Sequence, residues 1–542
     1  MATPTSQVTG LASGIDWQQT IEMLMQIESQ PMVALEERKQ VYEDKLSAWQ
    51  EINTKLLALK TAMENMDELD EILTKAATSS DTDVLTASAT SVAATGSYSV
   101  LVNQLALNHK LTHEGVADAN ATALTSTAAV FSYHYDGQDY NVEVPAGATL
   151  TDLVAAINGD INNPGVQATI LNDGSGSATA YHLVLSGETG ADHIITINDD
   201  ATTLSNFDTI NFAITQTAQN AQIRVDGYPP ATWIESETNE VADVIAGITL
   251  NLKTTSATAV TVTVTNDTDA AKEKIEAFVD AFNEVVALIN SKTTYDAEAE
   301  TAGVLFGDGS VIGIKSDLQS VIASTVPGLL DNALYRSLSE VGIKSGSGGL
   351  LSITDSKLSD ALEEDFDAVG ELFAFSSSST SNNLKYFYSE EATQGGVYNV
   401  VANFDASGNL LDTTTINGHP VQIDGEYIIG LDGYPEEGLR IKFTDPGGGA
   451  GSITAEVRVA KGAAVQVADR VSFLTDPIDG TVHFAEEGIQ DTIESIDDQI
   501  SNWEARLEVT QANLERQFLA METFISQLQG QGNYVSAMIG NL

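Results

Sequence analysis

Seven histidines, no cysteine and 77 carboxylates against 24 basic side chains set the chemistry open to this 542-residue chain. Without a thiol there is no disulfide framework, zinc–thiolate cluster or cysteine nucleophile. His109 and His113, four residues apart and followed by Glu114, are the one pair with ligand-like spacing. A helical zinc hydrolase needs Glu directly after the first histidine, where this chain has Lys110, and no third ligand is identifiable. The pair therefore reads as solvated surface. The acidic turns at Asp173 to Ser177 and Asp308-Gly309 lack the repeating oxygen ligands of a calcium loop and read as plain turns. The glycine-rich runs near Gly346 and Gly447 are not followed by Lys-Ser/Thr, so they cradle no phosphate. A glycosidase needs two carboxylates across a groove, which spacing along a chain does not identify. The expectation is no catalytic residue, no cofactor-binding residue, no metal and no cofactor: not an enzyme.

Composition narrows the partners. The net charge of −53 argues against nucleic acid and against an anionic membrane surface, both of which need clustered Lys and Arg. It reads as a device for solubility, suited to a salty setting that screens self-repulsion. The first basic residue is Arg38 and no apolar stretch follows Met1, so no cleaved secretory signal is expected. No run of eighteen apolar residues exists to insert in a membrane.

What carries information is apolar spacing at the two ends. Ile493, Ile500, Leu507, Leu514, Met521 and Leu528 recur at seven-residue steps, flanked by Ile496, Trp503, Phe518 and Ile525. No proline interrupts this run, and Gly530 and Gly532 are expected to close it. Leu35, Tyr42, Trp49, Leu56 and Met63 form a second ladder, filled in by Ile52, Leu59 and Met66. Such a helix cannot bury its stripe alone and must lie along another helix. These eleven ladder residues are the candidate self-assembly seam. Each terminal helix is expected to be weakly stable alone and to gain packing on assembly.

Between the ends the period changes. Asp16 caps a short helix, with Gln19 in the capping-box position, that must stop or kink near Pro31. The long N-terminal helix then runs to about Leu73, and Ala76 to Thr95 reads as an extended crossing. Tyr98, Val100 and Val102 alternate as a strand, Val130 to Val144 is a hairpin turning at Asp136-Gly137, and Thr151 to Ile157 is a helix capped by Thr151. A block from Ile223 to Thr265, with Asn239 to Ile245 read as helical, resembles a second copy of that strand–helix–strand unit. Helices return over Asp269 to Asn290, Val311 to Ser324 and Ser356 to Phe373; residues 376–383 read as a linker; a third β block covers Gly396 to Val459.

The expected fold is α+β and multidomain, with terminal helices forming a coiled-coil stalk and β-rich head domains inserted between them. The expected divisions are residues 1–75, N-terminal stalk; 76–110 with 216–268, first head domain; 111–215, second head domain; 269–383, mainly helical leg; 384–465, an additional β-rich domain; and 466–542, C-terminal coiled-coil helix.

Several short stretches, in this order, resemble the flagellar filament-capping (hook-associated protein 2) family. They are Gly10-Leu11-Ala12-Ser13-Gly14-Ile15-Asp16, Gly96 to Val102 with Gln104-Leu105-Ala106, Asp243 to Leu250, Val341-Gly342-Ile343 with Leu351-Ser352, and Phe518 to Glu522 with Asn533-Tyr534-Val535. Asp243 to Leu250 resembles the repeat that family shares with flagellin and the junction proteins. The resemblance implies a homo-oligomeric ring of unspecified copy number at the extracellular filament tip, where newly exported flagellin folds and inserts. It implies as partners flagellin, the hook–filament junction proteins, and the flagellar type III export apparatus with its chaperone. The block from about Leu384 to Gly462 departs from the simplest family plan and keeps an extracellular adhesin or surface-layer protein open as an alternative.

Overall fold

The computed structural model describes Gly14 and residues 16–539. The greater part of the Gly10 to Asp16 motif lies outside the described residues. The chain divides into two compact units, one of residues 1–72 with 272–542 and the other of residues 73–271.

The first unit opens with α1 (Trp17–Glu28), where the Asp16 side chain accepts the Gln19 N–H at 3.1 Å. Ser29 ends it, and α2 (Gln30–Glu64) starts at once with Pro31 in its first turn, where a missing N–H costs nothing. The long helix stops at Glu64, short of the expected Leu73, and α3 (Leu69–Ile72) is a separate turn.

The second unit holds two β bodies. In the first, a five-stranded sheet is ordered 75–79, 260–266, 96–104, 221–225, 234–236, and a three-stranded sheet is ordered 240–245, 248–252, 85–89. Val100, Val102, Ile223, Leu250 and Val262 fill one core between them. In the second, a four-stranded sheet (212–216, 108–113, 181–189, 167–172), a three-stranded sheet (138–144, 129–135, 196–197) and α4 (Leu150–Gly159) enclose Phe131, Tyr133, Tyr135, Leu183, Leu185 and Phe207. The 129–144 hairpin turns at Asp136-Gly137, with φ of 48° and 77°. That pair of positive φ values is what a type I′ turn demands.

Two readings need correction here. The cap of α4 is Thr149, two residues before Thr151: Thr149 and Asp152 bond reciprocally in a capping box. Residues 239–245 are no helix. Glu240–Ile245 is a strand paired with Ile248–Leu252, so the Ile223 to Thr265 block does not repeat a strand–helix–strand unit.

The first unit resumes with α5 (Thr268–Thr293) and α6 (Gly309–Ala323), then a 343–345/351–353 hairpin. The expected single helix over Ser356 to Phe373 is two, α7 (Asp355–Glu364) and α8 (Phe366–Phe373), because Asp365 takes extended backbone and caps the second through the Ala368 N–H. Residues 376–383 are likewise not a plain linker. Phe375–Ser379 is a strand paired with residues 457–461. It opens an eight-stranded antiparallel sheet, ordered 375–379, 451–461, 396–404, 415–416, 419–424, 427–430, 440–443, 384–388. The outermost strands are consecutive in sequence and are joined by a turn that holds a Ser381–Leu384 bridge, and the sheet curls as a small barrel around Tyr398, Val400, Ile428, Ile441 and Val457. The barrel is tied to its unit by Arg458, whose guanidinium grips Glu371 of α8 at 2.7 and 3.0 Å. Then come α9 (Ala463–Leu474) and α10 (Thr481–Ile539). Gly530 and Gly532 do not close α10, which runs through both.

Candidate assembly surface

The two ladders belong to α2 and α10, and within one copy these helices already lie against each other. Lys39 Nζ reaches Asp497 at 2.7 Å, while nearer the N-terminus Trp17 donates its indole N–H to Glu522 at 2.9 Å and stacks on Phe518 at 4.6 Å. Rising numbers on one side meet falling numbers on the other, so the pairing is antiparallel. Asp497 holds the Lys39 ammonium above its usual range by a direct hydrogen bond. The expectation that the terminal helices wait unpaired for assembly is therefore corrected: much of the stripe is covered within the chain itself.

The coverage is graded. Trp49, Leu56 and Met63 are wholly buried, as are Ile52 and Leu59, in the core that α2 forms with α9 and α10. On its flanks α2 pairs with α5, through Lys55–Glu284 and Lys292–Glu51 at 2.7 Å each. A side chain with no exposed surface in one copy cannot touch a second, so these three ladder positions form the fold of the monomer. Ile493, only 6% exposed, is buried beside these positions together with Ile496. Leu35, Tyr42, Ile500, Leu507 and Leu514 are half-buried. Among the described residues the cover thins around Glu522: Met521 is 40% and Leu528 50% exposed, while Ile525 stays half-buried. Phe524, Tyr534, Val535, Met538 and Ile539, which the heptad reading omits, are exposed too. Their signal in the sequence is the plain density of apolar residues after Glu522.

Among the described residues no group of three metal-ligating side chains comes together. Glu436, buried in the barrel, takes a hydrogen bond from His419 Nδ1 at 2.6 Å, and that ring stacks on Tyr434 at 4.1 Å. The other carboxylate oxygen, Oε2, is buried with no hydrogen-bond partner among the described residues. Among the described residues no helix is long and apolar enough to cross a membrane.

A chain built of antiparallel terminal helices and inserted β bodies, with an apolar helical surface, has the make-up of a structural protein of assembly. Family models identify the assembly. The flagellar hook-associated protein 2 C-terminus model matches residues 218–530, and the N-terminus model matches residues 13–109. The chain belongs to the flagellar hook-associated protein 2 family and is a cap protein of the bacterial flagellar filament, extracellular at its tip. The flagellin hook IN motif is matched at residues 134–189, not at Asp243 to Leu250 where the resemblance placed a shared repeat.

Relatives agree. The chain is 29% identical over 400 residues to the A-type flagellar hook-associated protein 2 of Pseudomonas aeruginosa, covering 69% of this chain and 81% of that one. The B-type protein of that species is 30% identical, with 61% and 72% covered. The Campylobacter jejuni protein is 23% identical over 98% of this chain and 97% of its own. Among solved structures, the flagellar cap protein FliD D1-D2-D3 domains from Escherichia coli share 29% identity over 60% of this chain and 89% of that one, with a TM-score of 0.49. The adhesin or surface-layer alternative is not favoured by these matches.

Proposed function

We propose that copies of this chain form a homo-oligomeric ring through the far part of α10, and that the ring promotes folding and insertion of exported flagellin and prevents its loss. One observation carries the assembly surface: among the described residues the apolar ladder of α10 outruns its cover, leaving Met521 and Leu528 exposed on the heptad line. Each such side chain contributes about 1.5–3 kcal/mol when buried, so a few of them per copy supply the drive for a ring. Leu35, Tyr42, Ile500, Leu507 and Leu514, half-covered in one copy, complete the seam.

In this reading residues 1–75 and 466–542 are the stalk, 76–110 with 216–268 and 111–215 the two head domains, 269–383 the leg and 384–465 an additional domain. Flagellin, the hook–filament junction proteins, and the flagellar type III export apparatus with its chaperone are the partners, and the work is done by packing, without catalysis. Expression in a cap-null flagellated strain tests it. Long filaments support the reading; flagellin shed to the medium despite normal export of this chain overturns it.

A further inference from the structure

His109 and His113, expected at a solvated surface, are each only 3% exposed. They share the inner face of strand 108–113, with Leu111 between them, and that strand lies between strands 212–216 and 181–189. The His113 ring packs 4.1 Å from Phe207 and 5.1 Å from Phe212. Its Nδ1 accepts the Gly115 N–H at 3.0 Å, and its Nε2 lies 2.7 Å from the Asn206 carbonyl oxygen. A carbonyl only accepts, so Nε2 carries the proton and Nδ1 carries none. Gly115 is fixed in this role: at φ +110° a Cβ there would meet the Thr179 oxygen at 2.1 Å. His109 repeats the pattern, its Nδ1 accepting the Ile195 N–H at 3.2 Å.

We propose that the β body of about residues 107–219 contains an acid-sensitive latch: His109 and His113 fit only as neutral imidazoles holding main-chain N–H groups, and protonating them opens that body. A second proton on either ring turns an acceptor into a donor facing a donor, inside an apolar core. Burial holds both rings below the ordinary histidine range. At His113 the Asn206 carbonyl and Glu114 favour the proton, and His182 on the neighbouring strand opposes it. His182 itself lies 3.4 Å from Asp173. Burial alone acts on His109. Near the segment that binds it are Asp192 and His193, the latter turned to Asp136 at 3.0 Å and Glu237 at 3.8 Å.

The sign follows from those directions. Between their folded values and about 6.5 the unfolded rings bind protons that the folded rings refuse. Stability is therefore full above about pH 6.5 and falls as the pH drops below it. His193 works the other way: although burial opposes it, Asp136, Glu237 and Glu188 raise its proton affinity, so its contribution is present in acid and is lost as pH rises through its folded value. The latch is thus read as the difference between the native chain and one lacking the two buried rings.

The test is amide hydrogen exchange on the full chain at pH 7.5, 6.5 and 5.5, corrected for intrinsic rates, against the double variant His109→Asn/His113→Asn, whose amide oxygens replace the Nδ1 acceptors. The native chain loses protection over residues 107–219 by up to roughly tenfold per pH unit for each histidine below pH 6.5, and the double variant loses clearly less. Equal losses overturn the proposal. A variant that does not fold leaves a direct measurement on the native chain: imidazole 15N shifts at pH 7.5 show both rings as Nε2–H tautomers that stay neutral at pH 6.5, and rings half-protonated there overturn it.

Discussion

The middle and the C-terminal end of the seven-residue ladders have the same spacing and opposite fates. Trp49, Leu56, Met63 and Ile493 are sealed inside one copy, whereas Met521 and Leu528 stand in solvent on the same helix as Ile493. The difference lies in what is opposite. α9 and the body of α10 cover the C-terminal half of α2, and among the described residues α1 with the first half of α2 covers α10 to about Glu522. A heptad repeat thus states that an apolar stripe must be covered, and the rest of the chain decides whether the cover is its own.

The largest effect is expected in the sealed region. Trp49→Ala removes a fully buried indole and should destabilise the helical unit by about 3–5 kcal/mol, seen as an earlier denaturant midpoint with the β bodies unaffected. Because the Trp49 indole N–H is buried without a partner, Trp49→Phe should cost far less than Trp49→Ala. Equal losses would mean that the site is not the tight core described.

At the boundary, Trp17→Phe keeps the ring contact with Phe518 and deletes the bond to Glu522. A loss of about 1–2 kcal/mol, confined to faster hydrogen exchange in α1, is expected. Exchange unchanged in α1 would break the claim that Trp17 holds α1 on α10 there.

Much of this was legible before the structure. The two long helices follow from their ladders, and Asp-Gly at 136–137 placed a hairpin because its φ values are nearly unique to such pairs. Residues 239–245 misled because Val241, Val244 and Ile245 sit at helical spacing. In the structure Asp243 adopts φ 62° and the register slips between Val241 and Ile245, so an irregular strand imitates the helical period. The strand at Phe375–Ser379 hid for another reason: four serines carry no β signal, and its partner lies some eighty residues away. The candidate surface was half legible. Spacing found the apolar positions, but which are covered depends on the end of α1, a tertiary fact. The buried histidines were misplaced on the same ground, since the neighbours of His113, Phe207 and Phe212, and that of His109, Ile195, are distant in sequence.

A smaller effect sharpens the contrast within the helical unit. Burial first, and then Glu71, Glu68 and Glu64, raise the Asp67 carboxyl to about 6. Its folded value exceeds its unfolded one of about 3.9, so it holds its proton better when folded. Its stabilising contribution is therefore full in acid and is lost as pH rises from about 4 through 6. Asp67→Asn should stabilise the helical unit at pH 7.5 by a fraction of a kcal/mol, given its partial exposure, and flatten that slope in thermal melts. An unchanged slope would contradict it. Smaller still, copies carrying −53 each should associate better as salt shortens the Debye length from about 30 to 8 Å, and a yield that falls with salt would weaken the case for apolar assembly.

The most direct test is sedimentation velocity on the full chain bearing Met521→Asp and Leu528→Asp. Both side chains are exposed in one copy, so the monomer should keep its fold and melting behaviour while its oligomers disappear. Oligomers that persist unchanged beside the native protein would contradict the assignment of assembly to the uncovered end of α10.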